Sequence, residues 1–255
     1  MPLSIVAIPA LESNYVWALH NARHAILVDP GEAGAPLDWL AERRLALAAV
    51  LVTHHHYDHT DGISAIVKHH PAPVYGPNDE RIPQAEHRVG HGDRVRIDPL
   101  AIDFEVLDVP GHTTSHIAYY GHGLVLCGDT LFSAGCGRMF EGTPEQMHAS
   151  LDRLAALPPD TKVLAGHEYT VSNCRFALAV EPNNPSLQAR LREAETLRAK
   201  NQPTLPSTLG DELEYNPFLR CRQPDVAAAA RRREPDCGDS PADVFAVLRR
   251  WKDHF

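Results

Sequence analysis

Short apolar runs rich in β-branched residues recur through the first two thirds of the chain, at residues 5–8, 25–28, 48–52, 74–75, 102–106, 117–120, 124–127 and 162–165. Runs of that length bounded by turn formers predict strands. The bounding turns are Asp29-Pro30-Gly31, Pro110-Gly111, the segment 121–123 and Pro158-Pro159. Helical spacing appears between some of the strands, at 37–45, 62–69 and 144–157. The last of these opens with Thr143 as a candidate N-cap and Pro144 at the first helical position. After Gly166 the texture changes. Leu187, Leu191, Ala194 and Leu197 recur at helical spacing within 185–202, and 226–232 and 241–251 read as further helices. The Pro-rich piece 203–219 between them reads as irregular. An α/β body over 1–168 and a smaller, mostly helical part over 169–255 are therefore expected.

The chain has 255 residues, 44% hydrophobic and 22% charged, an ordinary globular balance that excludes disorder and collagen-like repeats. A net charge of −9 with no long basic run argues against nucleic acid as a partner. The first residues have neither a basic start nor a continuous apolar stretch, so no signal peptide is expected. The longest clean apolar run, 46–52, falls far short of the ~20 residues that span a bilayer, so no membrane partner is expected. Five scattered cysteines with no CxxC pair point to free thiols and a cytoplasmic location. A monomer is expected. Histidine is the outlier: there are sixteen, several of them crowded into one stretch.

That stretch is Thr53-His54-His55-His56-Tyr57-Asp58-His59, beginning where the predicted strand 48–52 ends. In extended chain, alternate side chains point the same way, so His54 and His56 face one point. Asp58 and His59 come as the chain turns into the next helix and can face a second. Imidazole suits zinc, iron and related ions, and carboxylate adds a hard anionic ligand. One loop cannot complete two coordination spheres, so further ligands are expected at other strand ends. His112 follows the strand at 102–109, Asp129 follows 124–127, and His167 follows 162–165, each beside a glycine. His54, His56 and His112 would give one ion three nitrogens. Asp58, His59 and His167 would hold a second, and Asp129 could bridge both. Two such cations share one water and ionise it near neutral pH.

Most remaining histidines have a plainer reading. His55 and Tyr57 are expected to face away from the site, and His69-His70 to sit at a helix C-terminus. His20, His24, His87, His91, His122, His148 and His254 read as surface or structural. Asp29, at a strand end, is a candidate brace for a ligand histidine, though a simple Asp-Pro-Gly turn explains it equally well.

The motifs THHHYDH, GHT, GDT and GHE, in that order, resemble the metallo-β-lactamase superfamily. That resemblance implies an αββα sandwich with metals at one edge of the two sheets. Three further segments, FSAGCGRMFEGT from Phe132, GHEYTVSN from Gly166 and NPFLR from Asn216, together with the helical ending VFAVLRRWKDHF, resemble the glyoxalase II family over essentially the whole chain. The resemblance implies an α/β metallo-β-lactamase domain with a C-terminal helical substrate-binding domain. It implies hydrolysis of S-D-lactoylglutathione, and of other S-2-hydroxyacylglutathiones, to D-lactate and glutathione, the second step of methylglyoxal detoxification. It also implies two divalent ions, zinc first, with iron or manganese also found. The ligand set carries over to His54, His56, Asp58, His59, His112, Asp129 and His167. Glutathione contacts carry over to Arg138, Tyr169 and Arg220, with Arg249 and Lys252 as neighbours. The family often has lysine and tyrosine where Arg138 and Phe140 stand, and some members have a lysine after the NPF-x-R arginine that is absent here.

A thiolate leaves readily, so a thioesterase needs a nucleophile and oxyanion stabilisation more than a strong acid. The bridging hydroxide would supply the first and a metal the second, with Asp58 and Asp129 as the carboxylates at the reacting centre. The protein is acidic and glutathione carries carboxylates, so local cations must outweigh the global field. Rival readings are a lactonase, a β-lactamase, a nuclease or a persulfide dioxygenase on the same fold.

Overall fold

The computed structural model describes residues 3–255, which form two compact units. The first takes the chain up to Asp108 together with Ser115–Gly128 and Gly166–Glu168, and the second takes Val109–Thr114, Asp129–Ala165 and Tyr169–Phe255.

In the first unit the order is β1 (Ser4–Ala10), β2 (Asn14–His20), β3 (His24–Val28), α1 (Gly34–Arg43), β4 (Ala46–Leu51), α2 (Tyr57–Thr60), α3 (Ile63–His69), β5 (Val74–Pro77), β6 (His87–Val89), β7 (Arg94–Ile97), β8 (Ile102–Asp108), β9 (Ile117–Gly121) and β10 (Leu124–Gly128). One sheet runs β1-β2-β3-β4-β5-β6. Its first three strands pair antiparallel, and β3 through β6 pair parallel. Four strands of a second sheet, β10-β9-β8-β7, pair antiparallel. The parallel part explains why β4 reads as an unbroken apolar run, since such strands are covered on both faces. Leu40 of α1 and Ile63 and Ile66 of α3 pack with Val16, Ala18, Leu27 and Val50 of the first sheet, all buried. The Tyr119 hydroxyl of β9 donates to the Val52 carbonyl at 2.9 Å, which ties the second sheet to the end of β4.

In the second unit the elements are a two-rung hairpin, β11 (Leu131–Phe132) and β12 (Gly135–Cys136), then α4 (Pro144–Ala155), β13 (Lys162–Ala165), α5 (Thr170–Val180), α6 (Pro185–Arg198), β14 (Ser207–Thr208), α7 (Leu209–Tyr215), α8 (Pro224–Arg233) and α9 (Pro241–Asp253). Helix starts are written locally. Thr143 and Gln146 form a capping box on α4, and Ser240 and Asp243 form one on α9. Asn184 caps α6, and α4, α6, α8 and α9 each begin with proline. The aromatic core stacks Phe176 of α5 on Phe218 at 5.9 Å, with Phe245 and Trp251 of α9 packed edge-on at 5.7 and 5.6 Å.

Several elements differ from the expectation. The segment 203–219 is not irregular: it holds β14 and α7, whose buried Leu209, Glu212 and Tyr215 recur every third residue. Pro203, Pro206 and Pro217 hide that spacing. Helix α5 has no side-chain cap to announce it, and β6 and β7 are short and rich in charge. Strand β2 starts on polar Asn14, yet six of its seven residues are buried. No disulfide joins the cysteines. Among the described residues, no helix is long and apolar enough to cross a membrane.

Candidate metal centre

In the first unit the chain leaves β4 and runs through Thr53 to His56 before the single turn of α2. The alternation of that stretch brings His54 Nε2 to 3.2 Å from His56 Nδ1. The turn of α2 places Asp58 Oδ2 3.6 Å from His59 Nε2 and 3.4 Å from His167 Nε2. Asn14 donates its amide to the same Asp58 oxygen at 3.0 Å, and Ser13 Oγ lies 3.1 Å from His167 Nδ1, which sets the ring of His167. Two ligands held ~2.0–2.1 Å from one tetrahedral ion lie about 3.3 Å apart. These spacings, and a donor set of imidazole and carboxylate, fit a cation shared within each group.

Asp29 lies against this cluster and braces it. Its residue has φ of +51°, a turn conformation that aspartate tolerates. The carboxylate accepts from the Thr53 backbone N–H and the Thr53 hydroxyl, both at 2.7 Å, and its Oδ2 is 3.2 Å from His59 Nδ1. Both oxygens thus accept hydrogen bonds from Thr53, and the His59 ring stands against Oδ2 at ion-pair distance, which makes Asp29 a neighbour that orients His59. Gly128, at φ +47°, has no room for a side chain: a Cβ would stand 2.2 Å from Thr53 Oγ1.

Two further histidines make contacts that the local sequence does not announce. The His55 ring meets Asp79, its Nδ1 3.5 Å from Asp79 Oδ2. Asp79 in turn accepts a fork from Arg81 at 2.8 and 2.7 Å and the Ser115 hydroxyl at 2.5 Å, and the Arg81 guanidinium holds its carboxyl far below the usual range. Tyr57 does face outward, at 71% exposure. His116 escaped the sequence reading altogether. It is fully buried and stacks on the His54 ring at 4.6 Å and 15°. Its place one residue ahead of the apolar strand 117–120 was the available signal.

In the second unit His112 Nε2 lies 3.5 Å from Asp129 Oδ2. His112 Nδ1 donates to the Arg138 carbonyl at 2.7 Å, which leaves Nε2 as the lone-pair nitrogen. Gly137 seats the following loop directly on this pair: a Cβ there would stand 1.9 Å from the Asp129 carbonyl oxygen and 3.1 Å from His112 Nδ1.

The same unit holds an open cleft of about 350 Å³ lined by Phe132, Arg138, Tyr169, Asn173, Arg249 and Lys252, among others. Arg249 is buried and donates to the Cys136 carbonyl at 2.8 Å and to Asp253 at 3.1 Å. Arg138 is half exposed and donates to the same Asp253 oxygen at 3.2 Å. Lys252 lies over the Phe176 ring, and burial, aided by the Arg249 charge, pushes its amine down to about 8. Tyr169 packs edge-on against Phe132 at 5.3 Å. Arg220, expected to join this set, does not line the cleft. Its guanidinium forks onto the Glu181 carboxylate at 2.9 Å on both arms and borders a different depression. A carboxylate of the protein's own thus meets that charge.

Residues 10–167 match the sequence family described as the metallo-beta-lactamase superfamily, and 168–255 match hydroxyacylglutathione hydrolase C-terminus. Fold and donor set together are those of a metallo-β-lactamase-fold protein, and a His/Asp site on this fold binds divalent metal ions. The solved structure of TTHA1623 in a di-iron-bound form is 26% identical, with a TM-score of 0.60 over 85% of this chain and 100% of that one. Hydroxyacylglutathione hydrolases from Aeromonas salmonicida and Aeromonas hydrophila are 50% and 51% identical, over 99% and 98% of this chain and 99% of each relative. The chain belongs to the hydroxyacylglutathione hydrolase family.

Proposed function

We propose that this protein is a thioester hydrolase that converts S-D-lactoylglutathione, and other S-2-hydroxyacylglutathiones, to the 2-hydroxy acid and glutathione. The observation that carries this reading is the extent of the likeness: it covers the helical C-terminal part, which bears the cationic cleft, as well as the donor-bearing body. His54, His56 and His112 are assigned to one divalent ion, Asp58, His59 and His167 to a second, and Asp129 to both. Zinc is the proposed ion, and the same nitrogen and oxygen donors accept iron or manganese. Bound there, the ions supply Lewis acidity and lower the pKa of water towards neutrality.

The chain's own residues do the rest. Asn14 and Ser13 orient Asp58 and His167. Asp29 holds the Nδ1 side of His59, and the Arg138 carbonyl holds that of His112. The forked donors of Arg138 and the ammonium of Lys252 suit the carboxylates of glutathione, and Arg249 holds their surroundings rigid through Cys136 and Asp253. Tyr169 offers a hydroxyl to the peptide portion. A monomer working in the cytoplasm fits a small-molecule substrate. The test is loss of S-D-lactoylglutathione absorbance with purified, metal-loaded protein, with thiol release followed in parallel. Equal rates of both are expected. Inert protein that turns over a lactone or a persulfide instead overturns the assignment.

A further inference from the structure

The hairpin of β11 and β12 supplies Phe132 and Cys136 to the cleft wall and leads directly to Arg138. It has only two rungs, Leu131 with Cys136 and Phe132 with Gly135. A ribbon that short does not hold itself in place in water. Its position comes from α7 and the residue that ends it. Glu212 of α7 and Asn216, one turn later, are both fully buried. The Ala134 backbone N–H at the hairpin tip donates to Glu212 Oε2 at 2.8 Å. The Asn216 amide is shared among the Phe132 carbonyl at 3.1 Å, the Gly135 carbonyl at 3.0 Å and Glu212 Oε2 at 3.0 Å. Tyr215 donates its hydroxyl to Glu212 Oε1 at 3.0 Å. From α6, Arg190 donates to Ser133 Oγ at 3.2 Å. From α5, Asn173, itself on the cleft wall, donates to the Ser133 carbonyl at 3.0 Å.

Every neighbour named around Glu212 is a donor, so the side chain works as a buried acceptor post around which the hairpin is assembled. We infer that Glu212 is a positioning residue for the thioester-binding cleft: it fixes the tip of the β11–β12 hairpin through Ala134 and Asn216, and thereby sets where Phe132, Cys136 and Arg138 stand. Glu212 touches no cleft atom and acts only through the hairpin. The inference rests on the proposed thioester-hydrolase reading for the identity of the ligand. It predicts a defect chiefly in binding, with a smaller effect on the chemical step, because the Arg138 carbonyl that follows the hairpin also holds His112.

The test compares the parent, Glu212→Ala, Glu212→Gln and Arg190→Met in steady-state kinetics on S-D-lactoylglutathione, in calorimetric binding of the non-hydrolysable thioether S-methylglutathione, in metal content, and in amide hydrogen exchange over residues 132–138. Glu212→Ala is expected to raise KM and Kd about tenfold, the order of one lost buried hydrogen bond. Its kcat and metal content stay within twofold, and exchange at Ala134 accelerates. Glu212→Gln keeps one carbonyl oxygen for Ala134 and Asn216, and the Tyr215 hydroxyl can turn to accept, so its KM stays within about twofold. Arg190→Met loses the pin on Ser133 together with the bonds to the Thr204 carbonyl at 2.7 Å and to Glu193 at 2.9 Å, leaves the Glu212 acceptor in place and raises KM about threefold, which keeps the test open if Glu212→Ala does not fold. A folded Glu212→Ala with the parent's KM and exchange pattern overturns the role, as does a loss confined to kcat or to metal. Failure of the parent itself to bind S-methylglutathione overturns the substrate assignment and this role with it. Faster exchange in Glu212→Ala with binding of the thioether unchanged overturns the role while leaving the substrate assignment standing.

Discussion

Replacing Asp29 by asparagine isolates one contact of the metal centre. The backbone is spared, because asparagine accepts the positive φ of +51° as readily as aspartate. Asparagine also keeps a carbonyl oxygen for the Thr53 N–H, now bound at 2.7 Å. What changes is the group at the Oδ2 position, which receives the Thr53 hydroxyl at 2.7 Å and faces His59 Nδ1 at 3.2 Å. An amide there presents hydrogens where two donors point. His59 escapes by moving its proton to Nε2, the nitrogen that faces Asp58 at 3.6 Å and is assigned to the ion. Loss of such an outer partner costs about 10–100-fold in metal affinity, or roughly 1.4–2.8 kcal/mol. The metal-free protein loses about 1–2 kcal/mol from the weakened charged hydrogen bonds. The assay is metal content after equilibration against a graded series of chelator concentrations. Asp29→Asn should release its first equivalent of metal at 10–100-fold lower chelator than the parent, and the second near the parent's value. Identical release curves for variant and parent would refute the view that Asp29 sets the His59 ring.

Asp129→Ala should lose metal and rate together, with turnover falling on the order of 10²–10³-fold, since this carboxylate is assigned to both ions; full metal content with full rate contradicts the assignment. Lys252, held near 8, should carry its charge at pH 7 and lose it above pH 8. S-methylglutathione binding should therefore weaken as pH rises from 7 to 9, and Lys252→Met should bind weakly across that range with that step removed. The same group leaves a mark on stability. Its folded value lies below the ~10.4 of an unfolded lysine, so the unfolded chain binds more protons in between. Stability from this group therefore rises with pH between about 8 and 10.4, and denaturant titrations of Lys252→Met should lack that rise.

Much of the fold was legible because the strands of the first unit are apolar runs closed by Gly and Pro turns, and because prolines and caps mark the starts of α4, α6, α8 and α9. The pairing of His54 with His56 followed from strand alternation alone. Other features were not written locally. His55 reads as a bystander until β5 is followed by Asp79, and nothing near His116 says that it will stack on His54. Arg220 looks like a ligand for an anion until folding delivers Glu181 to it from 39 residues away. Glu212 reads as an ordinary polar position in a Pro-rich stretch, and its burial becomes apparent only when the hairpin tip arrives from 78 residues upstream. In each case the deciding partner is distant in sequence.

The prolines that open α4, α6, α8 and α9 carry a consequence for how this part of the chain can change. A ring at the first position, with a capping side chain before it in three of the four, sets each helix's starting phase from within its own few residues. A residue inserted in a preceding linker is absorbed upstream of that stop and leaves the buried face where it was. Helices α1, α3 and α5 have no such side-chain stop, and α5 begins directly after the His167 loop. An insertion there would rotate Cys174, Phe176 and Ala177 out of their contacts. Length variation should therefore be tolerated ahead of the proline-started helices and be damaging between His167 and α5.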